Sequence, residues 1–307
     1  MGLFFSSDRF TRPGPGVRPD APRKKGVARL AEIMGRDMWN FFRAGFLAFL
    51  GCLPFIIGMF FAVETHALLF MLLAGIIGGL IAGPELSAMA DTVLRSLRDE
   101  PGYWWETYRR VWKRNARESL VPGMLTGLVL SMQIFTLFHM SVISAGIVTW
   151  VLLILSFVVT LGLESYIWPQ IALLDLPLYG ILKNSLLLFL GYLPRSLGAI
   201  AIKAVYWGAI LLFFPLTTII LPFTNFWLPM LPALLCIYQP LNKCFTIEST
   251  INKMREDDLN AALAKDNEPL PEDPTEKAEE STEESILCSQ SLVSRLAVPL
   301  PTAIAST

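Results

Sequence analysis

Three side chains stand where an apolar helix rarely carries polar chemistry: Glu164, Lys203 and Gln133. Glu164 falls in the apolar run 142–167, Lys203 in the run 197–221 and Gln133 in the run 121–139. An ionisable group inside hydrocarbon is costly, and it usually marks an ion path, a proton relay or a structural pair. Glu164 lies near one end of its run and Lys203 about two turns into its own, so the two are placed to pair. Both also lie close enough to the interface to snorkel. Gln133, uncharged and mid-run, suits interhelical hydrogen bonding. No catalytic constellation accompanies them: there is no phosphate loop, no metal-ligand spacing and no nucleophile with a base nearby. Cys52, Cys236, Cys244 and Cys288 show neither a disulfide framework nor a metal spacing. His66 and His139 fall at external turns and resemble no ligand cluster. The expectation is a non-enzyme with no catalytic residue, no metal and no cofactor.

Two further patterns concern contact. Gly75, Gly79 and Gly83 repeat at four-residue spacing just before Pro84, so one helix face lacks side chains and lets another helix approach closely. Packing within the chain is the favoured use of that face, and a homodimer contact is the other. Residues 103–117 read Tyr-Trp-Trp-Glu-Thr-Tyr-Arg-Arg-Val-Trp-Lys-Arg-Asn-Ala-Arg. Trp104, Tyr108, Val111 and Trp112 share a helical face, while Arg109, Arg110, Lys113 and Arg114 crowd the rest. That division suits a helix lying among anionic headgroups, and the same surface is able to dock a cytoplasmic partner. Basic residues interleaved with membrane-facing aromatics give no support to nucleic-acid binding.

The elements that must position these residues follow from composition. The chain has 307 residues, 53% hydrophobic and 17% charged, against about a quarter charged in a soluble domain. The charges gather at the two ends and in one central stretch, leaving long uncharged runs that need a membrane. An all-α bundle of six spans is expected, at about 39–63, 67–84, 121–139, 142–167, 197–221 and 228–245. Pro54 marks a kink in the first span, and Glu64-Thr65-His66 forms a tight external turn after it. Nine Lys/Arg in residues 1–43 and seven in 85–120 flank the first hairpin and place that side in the cytoplasm. Residues 103–117 and 178–192 read as cytoplasmic interfacial helices. The competing count makes 178–194 a span and moves the C-terminus outside. Residues 1–38 form a basic cytoplasmic segment without the features of a signal peptide. Residues 251–307 form a cytoplasmic tail, with twelve Asp/Glu against three basic residues over 255–285, whose composition predicts disorder.

Several segments resemble a known family. Arg12-Pro13-Gly14-Pro15-Gly16-Val17 stands before the first span and Leu53-Pro54 within it. Ala82-Gly83-Pro84 with Ala88-Met89 follows the second, and Trp112-Lys113-Arg114-Asn115 leads into the third. Together they resemble the YesL-like family, small bacterial multi-pass membrane proteins built around a domain of unknown function. The resemblance covers roughly residues 8–250 and leaves the acidic tail outside. It implies an association with carbohydrate import of the ATP-binding-cassette type, and it transfers no catalytic or ligand-binding residue. The expected function is a non-enzymatic plasma-membrane component that assists or regulates carbohydrate uptake, with both termini cytoplasmic. Its expected partners are anionic lipid and importer subunits. A small-solute carrier or channel is the alternative.

Overall fold

The computed structural model describes residues 23–100, 103–140, 142 and 146–266, and among these all regular structure is helical. Two units are distinguished, Met1–Glu248 and Ser249–Thr307. In the first, α1 spans Gly26–Thr65, α2 Leu68–Arg98, α3 Trp104–Phe138 and α4 Ile147–Leu173. Next come α5 (Leu178–Gly191), α6 (Leu193–Leu212), α7 (Thr217–Thr224) and α8 (Trp227–Phe245). A last helix, α9, covers Ile247–Asp266. Helices α1, α2, α3, α4 and α6 are long and apolar enough to cross a membrane, which makes the chain a multi-pass helical membrane protein. Large apolar side chains remain exposed along them, such as Phe60, Leu69, Val151 and Leu155. A belt of that kind is stable only against lipid.

Helix α2 is the hub. It packs on α1, α3, α4 and α8, and most residues of Gly79–Arg98 are buried. Its first half contains a π-helical turn, Ala74–Gly78, where Gly58 of α1 meets Ala74 and Gly78 meets Phe55. Pro84 lies inside α2 and Pro122 inside α3, and neither ends its helix. The Ser87 hydroxyl donates to the Pro84 carbonyl at 2.9 Å, and the Thr126 hydroxyl to the Pro122 carbonyl at 2.8 Å. Close helical neighbours help to allow proline inside membrane helices.

The elements differ from the sequence expectation in six places, beginning with α1, which starts at Gly26 against 39 expected. The polar stretch 85–120 is not a loop: α2 runs on to Arg98, Asp99 caps it with φ 60°, and α3 starts at Trp104. An apolar stripe persists through the charged region, with Leu86, Met89, Val93 and Leu97 of α2 and Tyr108 and Val111 of α3 all buried. Counting uncharged runs could not see it. For the same reason residues 104–117 are one continuous helix with the span that follows, where a separate interfacial helix is expected. Helix α4 starts at Ile147 and runs through Pro169 to Leu173, against 142–167 expected. Helix α6 ends at Leu212 instead of 221, and Pro215 and Pro222 confine the following residues to the short α7. Finally, α9 covers residues where an unfolded tail is expected. The run Asn260-Ala261-Ala262-Leu263-Ala264-Lys265 consists mostly of strong helix formers. The rest of the acidic tail and residues 1–22 lie outside the described residues.

Ion pairs gather three helix ends at one charged end. Arg29 Nη2 lies 2.6 Å from Asp99 Oδ2 and also donates to the Leu97 carbonyl. Arg36 pairs with Asp99 and donates to the Ser96 carbonyl at 2.8 Å. Arg23 Nη1 lies 2.7 Å from Glu248 Oε1, which also accepts from the Tyr238 hydroxyl at 3.0 Å.

Candidate functional site

Position in this molecule is set first by the α2–α3 seam. Gly75, Gly79 and Gly83 of α2 lie against Ser119, Gly123, Gly127 and Ser131 of α3, four-residue spacing facing four-residue spacing. A Cβ on Gly79 would collide with the Gly123 carbonyl, and one on Gly123 with the Gly79 carbonyl. The glycine face is therefore spent inside the chain, and its α3 counterpart is a signal that the sequence reading missed.

This seam brings α3 close enough to α2 to answer a carboxylate. Glu85, one residue past Pro84, accepts the Tyr108 hydroxyl at 2.5 Å and the Trp112 indole N–H at 3.0 Å. Gly51 of α1 leaves the space that the Glu85 stem occupies. A second carboxylate, Glu164 of α4, accepts the Trp168 indole N–H at 3.2 Å, and its other oxygen lies 3.8 Å from Lys203 Nζ on α6. The Lys203 side chain is 8% exposed and that of Glu164 17%, so the pair is largely enclosed by protein. Buried Cys52 of α1 lies within electrostatic reach of both glutamates. Glu85 was missed because Pro84 reads as a helix end.

Above this pair runs a polar stripe. Gln133 of α3 donates to Ser156 Oγ at 2.6 Å and to Thr160 Oγ1 at 2.7 Å, while its Oε1 is buried without a partner among the described residues. Ser156, Thr160, Glu164 and Trp168 recur every four residues on α4, so the stripe descends from Gln133 to the ion pair. It is closed off below by the Tyr166–Ser196 hydroxyl contact at 2.8 Å and by Gln170 donating to Ser185 Oγ at 2.8 Å.

The charged end carries the second cluster. A cavity of about 330 Å³ is lined by Arg36, Asp37, Asn40, Arg95, Asp99 and Trp104, among others. Arg95 Nε pairs with Asp91 at 2.6 Å, and Arg98 Nε with Glu100 at 2.8 Å. Burial opposes the Asp99 charge, but hydrogen bonds and charges from Arg36 and Arg29 hold its carboxyl below the usual carboxylate range. Arg43 lies over the Trp39 and Trp104 rings, at 5.1 and 5.7 Å.

The expected docking residues divide. Tyr108 is buried and bound to Glu85, and Trp112 shares that carboxylate, so this aromatic face meets α2 rather than lipid. The reason is geometric: the segment continues the axis of the span instead of lying in the membrane plane. Arg114 donates to the Ala172 carbonyl at 2.8 Å and ties α3 to the end of α4. Arg110 pairs with Glu106 on its own helix. Arg109, Lys113 and Arg117 are exposed, and no described carboxylate lies within ion-pair distance of them.

At the opposite end the two histidines meet. His66 Nδ1 lies 2.7 Å from His139 Nε2, and His139 Nδ1 lies 2.7 Å from the Phe135 carbonyl. A proton on His139 Nδ1 leaves Nε2 to accept from His66. No group of three or more His, Cys, Asp or Glu fit to hold a metal occurs among the described residues. Comparison with protein-family models, with curated proteins and with solved structures returned no match.

Proposed function

We propose that this chain is a non-enzymatic, six-span plasma-membrane protein that assists or regulates carbohydrate uptake through contacts made at its cytoplasmic end. One observation carries the reading. The exposed cations Arg109, Arg110, Lys113 and Arg117 project from a helical hairpin held by the glycine seam and the Asp99 network, and among the described residues only Arg110 has a carboxylate partner. A rigid cationic face that the protein itself leaves largely unpaired suits docking to an acidic protein surface. The carbohydrate context rests on the resemblance of residues 12–17, 82–89 and 112–115 to the YesL-like family.

The topology has its own support. The Arg23–Glu248 pair fits an even number of crossings between those residues and so supports six over seven. Helix α5, with 14 residues, is about 21 Å long against a hydrocarbon thickness of about 30 Å. It exposes Leu186, Leu187 and Leu190 as an interfacial helix would. The basic residues of α1 and the α2–α3 hairpin support a cytoplasmic position for the charged end.

The test is affinity purification from native membranes, comparing the natural chain with R109E/K113E/R117E. Importer subunits recovered with the natural chain and lost with the variant are expected. Equal recovery with a correctly folded variant sinks the docking face.

A small-solute carrier is the second reading, favoured by the stripe Gln133–Ser156–Thr160–Glu164 ending at Lys203. Solute flux unchanged by Glu164→Gln in proteoliposomes would count against it.

A further inference from the structure

Arg195 and Lys243 carry charges that no described carboxylate answers. They line one cavity of about 490 Å³ between the α5–α6 elbow and the last turns of α8, together with Tyr192, Gln239, Pro240 and Asn242. Arg195 stands in the first turn of α6, a 20-residue helix whose positive dipole end adds to its charge. The Asn242 side-chain oxygen is taken by the Glu248 backbone N–H at 2.9 Å, so its amide NH₂ is the end left to donate. The Tyr192 hydroxyl lies 3.6 Å from Cys244 Sγ, a weak acceptor, and can still donate elsewhere. The cavity thus offers two cations and neutral donors, and no acid lines it.

The exposed surface of the helices that flank the elbow narrows the ligand. Leu186, Leu187, Leu190, Leu193 and Leu197 are all at least two-fifths exposed on α5 and the start of α6. A soluble anion would leave this apolar surface unused, whereas a lipid would cover it with acyl chains. We infer that the cavity binds the phosphate of an anionic phospholipid, with Arg195 and Lys243 as the ion-pairing groups. Cationic pockets between helices at the cytoplasmic interface are suited to such headgroups. The inference uses only the chain's own geometry and does not rest on the carbohydrate reading. Its ligand touches the α5–α6 elbow, the start of α6 and the end of α8 together, so lipid would staple the elbow to α8.

The experiment measures lipid retained by the purified full chain, by native mass spectrometry, after reconstitution with phosphatidylglycerol or phosphatidylcholine. Phosphatidylglycerol should bind in preference, and R195Q/K243Q should weaken it about 30-fold, given roughly a fivefold contribution from each cation. R195K/K243R, which keeps both charges, should restore most of the binding, and an unchanged helical circular-dichroism spectrum would confirm the fold of each variant. Inorganic phosphate and glycerol 3-phosphate serve as soluble probes. If they bind as tightly as the lipid and are lost in the same variant, the phosphate site stands but its lipid source is overturned. Undiminished phosphatidylglycerol binding by a folded R195Q/K243Q overturns the site itself.

Discussion

Removing one member of the Glu164–Lys203 pair should destabilise the protein far more than removing both. The groups lie 3.8 Å apart and are 17% and 8% exposed. At that separation the attraction is about 4 kcal/mol for an effective dielectric near 20, most of it offset by the cost of desolvating two charges. Lys203→Met keeps the apolar stem but strands the Glu164 carboxylate with a single indole donor, which should cost about 3 kcal/mol. Glu164→Gln keeps an acceptor for Trp168 and strands the ammonium instead. Its cost should be similar or slightly lower, because a lysine can reach toward water. The double variant leaves no uncompensated charge and should lose about 1 kcal/mol or less. The cycle then closes with a coupling of several kcal/mol, well above the scatter of about 0.5 kcal/mol expected of independent sites. Reversible unfolding in mixed micelles with increasing dodecyl sulfate, followed by circular dichroism, reads all four proteins. Additive single costs, or singles as stable as the natural chain, would refute the pairing and leave Glu164 and Lys203 as independent snorkelling groups.

Other perturbations have equally definite outcomes. Gly79→Val or Gly123→Val drives a branched side chain into the facing backbone and should cost about 3 kcal/mol, while Gly35→Ala, inside α1 with open space around it, should be neutral or slightly stabilising; thermal unfolding in detergent separates them. Tyr108→Phe takes one of two donors from Glu85 and should cost about 1–2 kcal/mol by the same assay. Asp99→Asn tests the charged end through pH. The Asp99 carboxyl is held below its unfolded value, so its stabilisation is present above that value and fades as pH falls through the folded one. The natural chain should therefore lose more Tm than the variant between about pH 5 and pH 3, and parallel melting profiles would remove Asp99 from the network.

Much of this architecture was written in the chain, but in unequal measure. Long uncharged runs mark membrane helices because hydrocarbon tolerates little else, so α1 to α4 and α6 are each anticipated near their places. Their lengths are not. Burial of Leu86 to Leu97 against α3 depends on a partner helix, and charge counting ends a span at the first acid it meets. Pro84 deepened the error, since proline stops helices in water but not among packed membrane helices, and Glu85 was thereby assigned to a loop. Glu164 and Lys203 stood out because charge in an apolar run is conspicuous at any distance. His66 and His139 did not, for nothing local in either turn reports a neighbour 73 residues away.

Helix α1 holds 40 residues without a break, a rod of about 60 Å. Helix α3 holds 35 and is locked to α2 along a seam of small residues. A rocking of about 5° around the middle of α1 would swing its tip by about 3 Å, roughly the reach of a hydrogen bond. The histidine contact ties the far tips of α1 and α3, and the cationic row rides on the near end of α3. The histidine contact and the cationic row are thus carried on one continuous helix, about 40 Å apart.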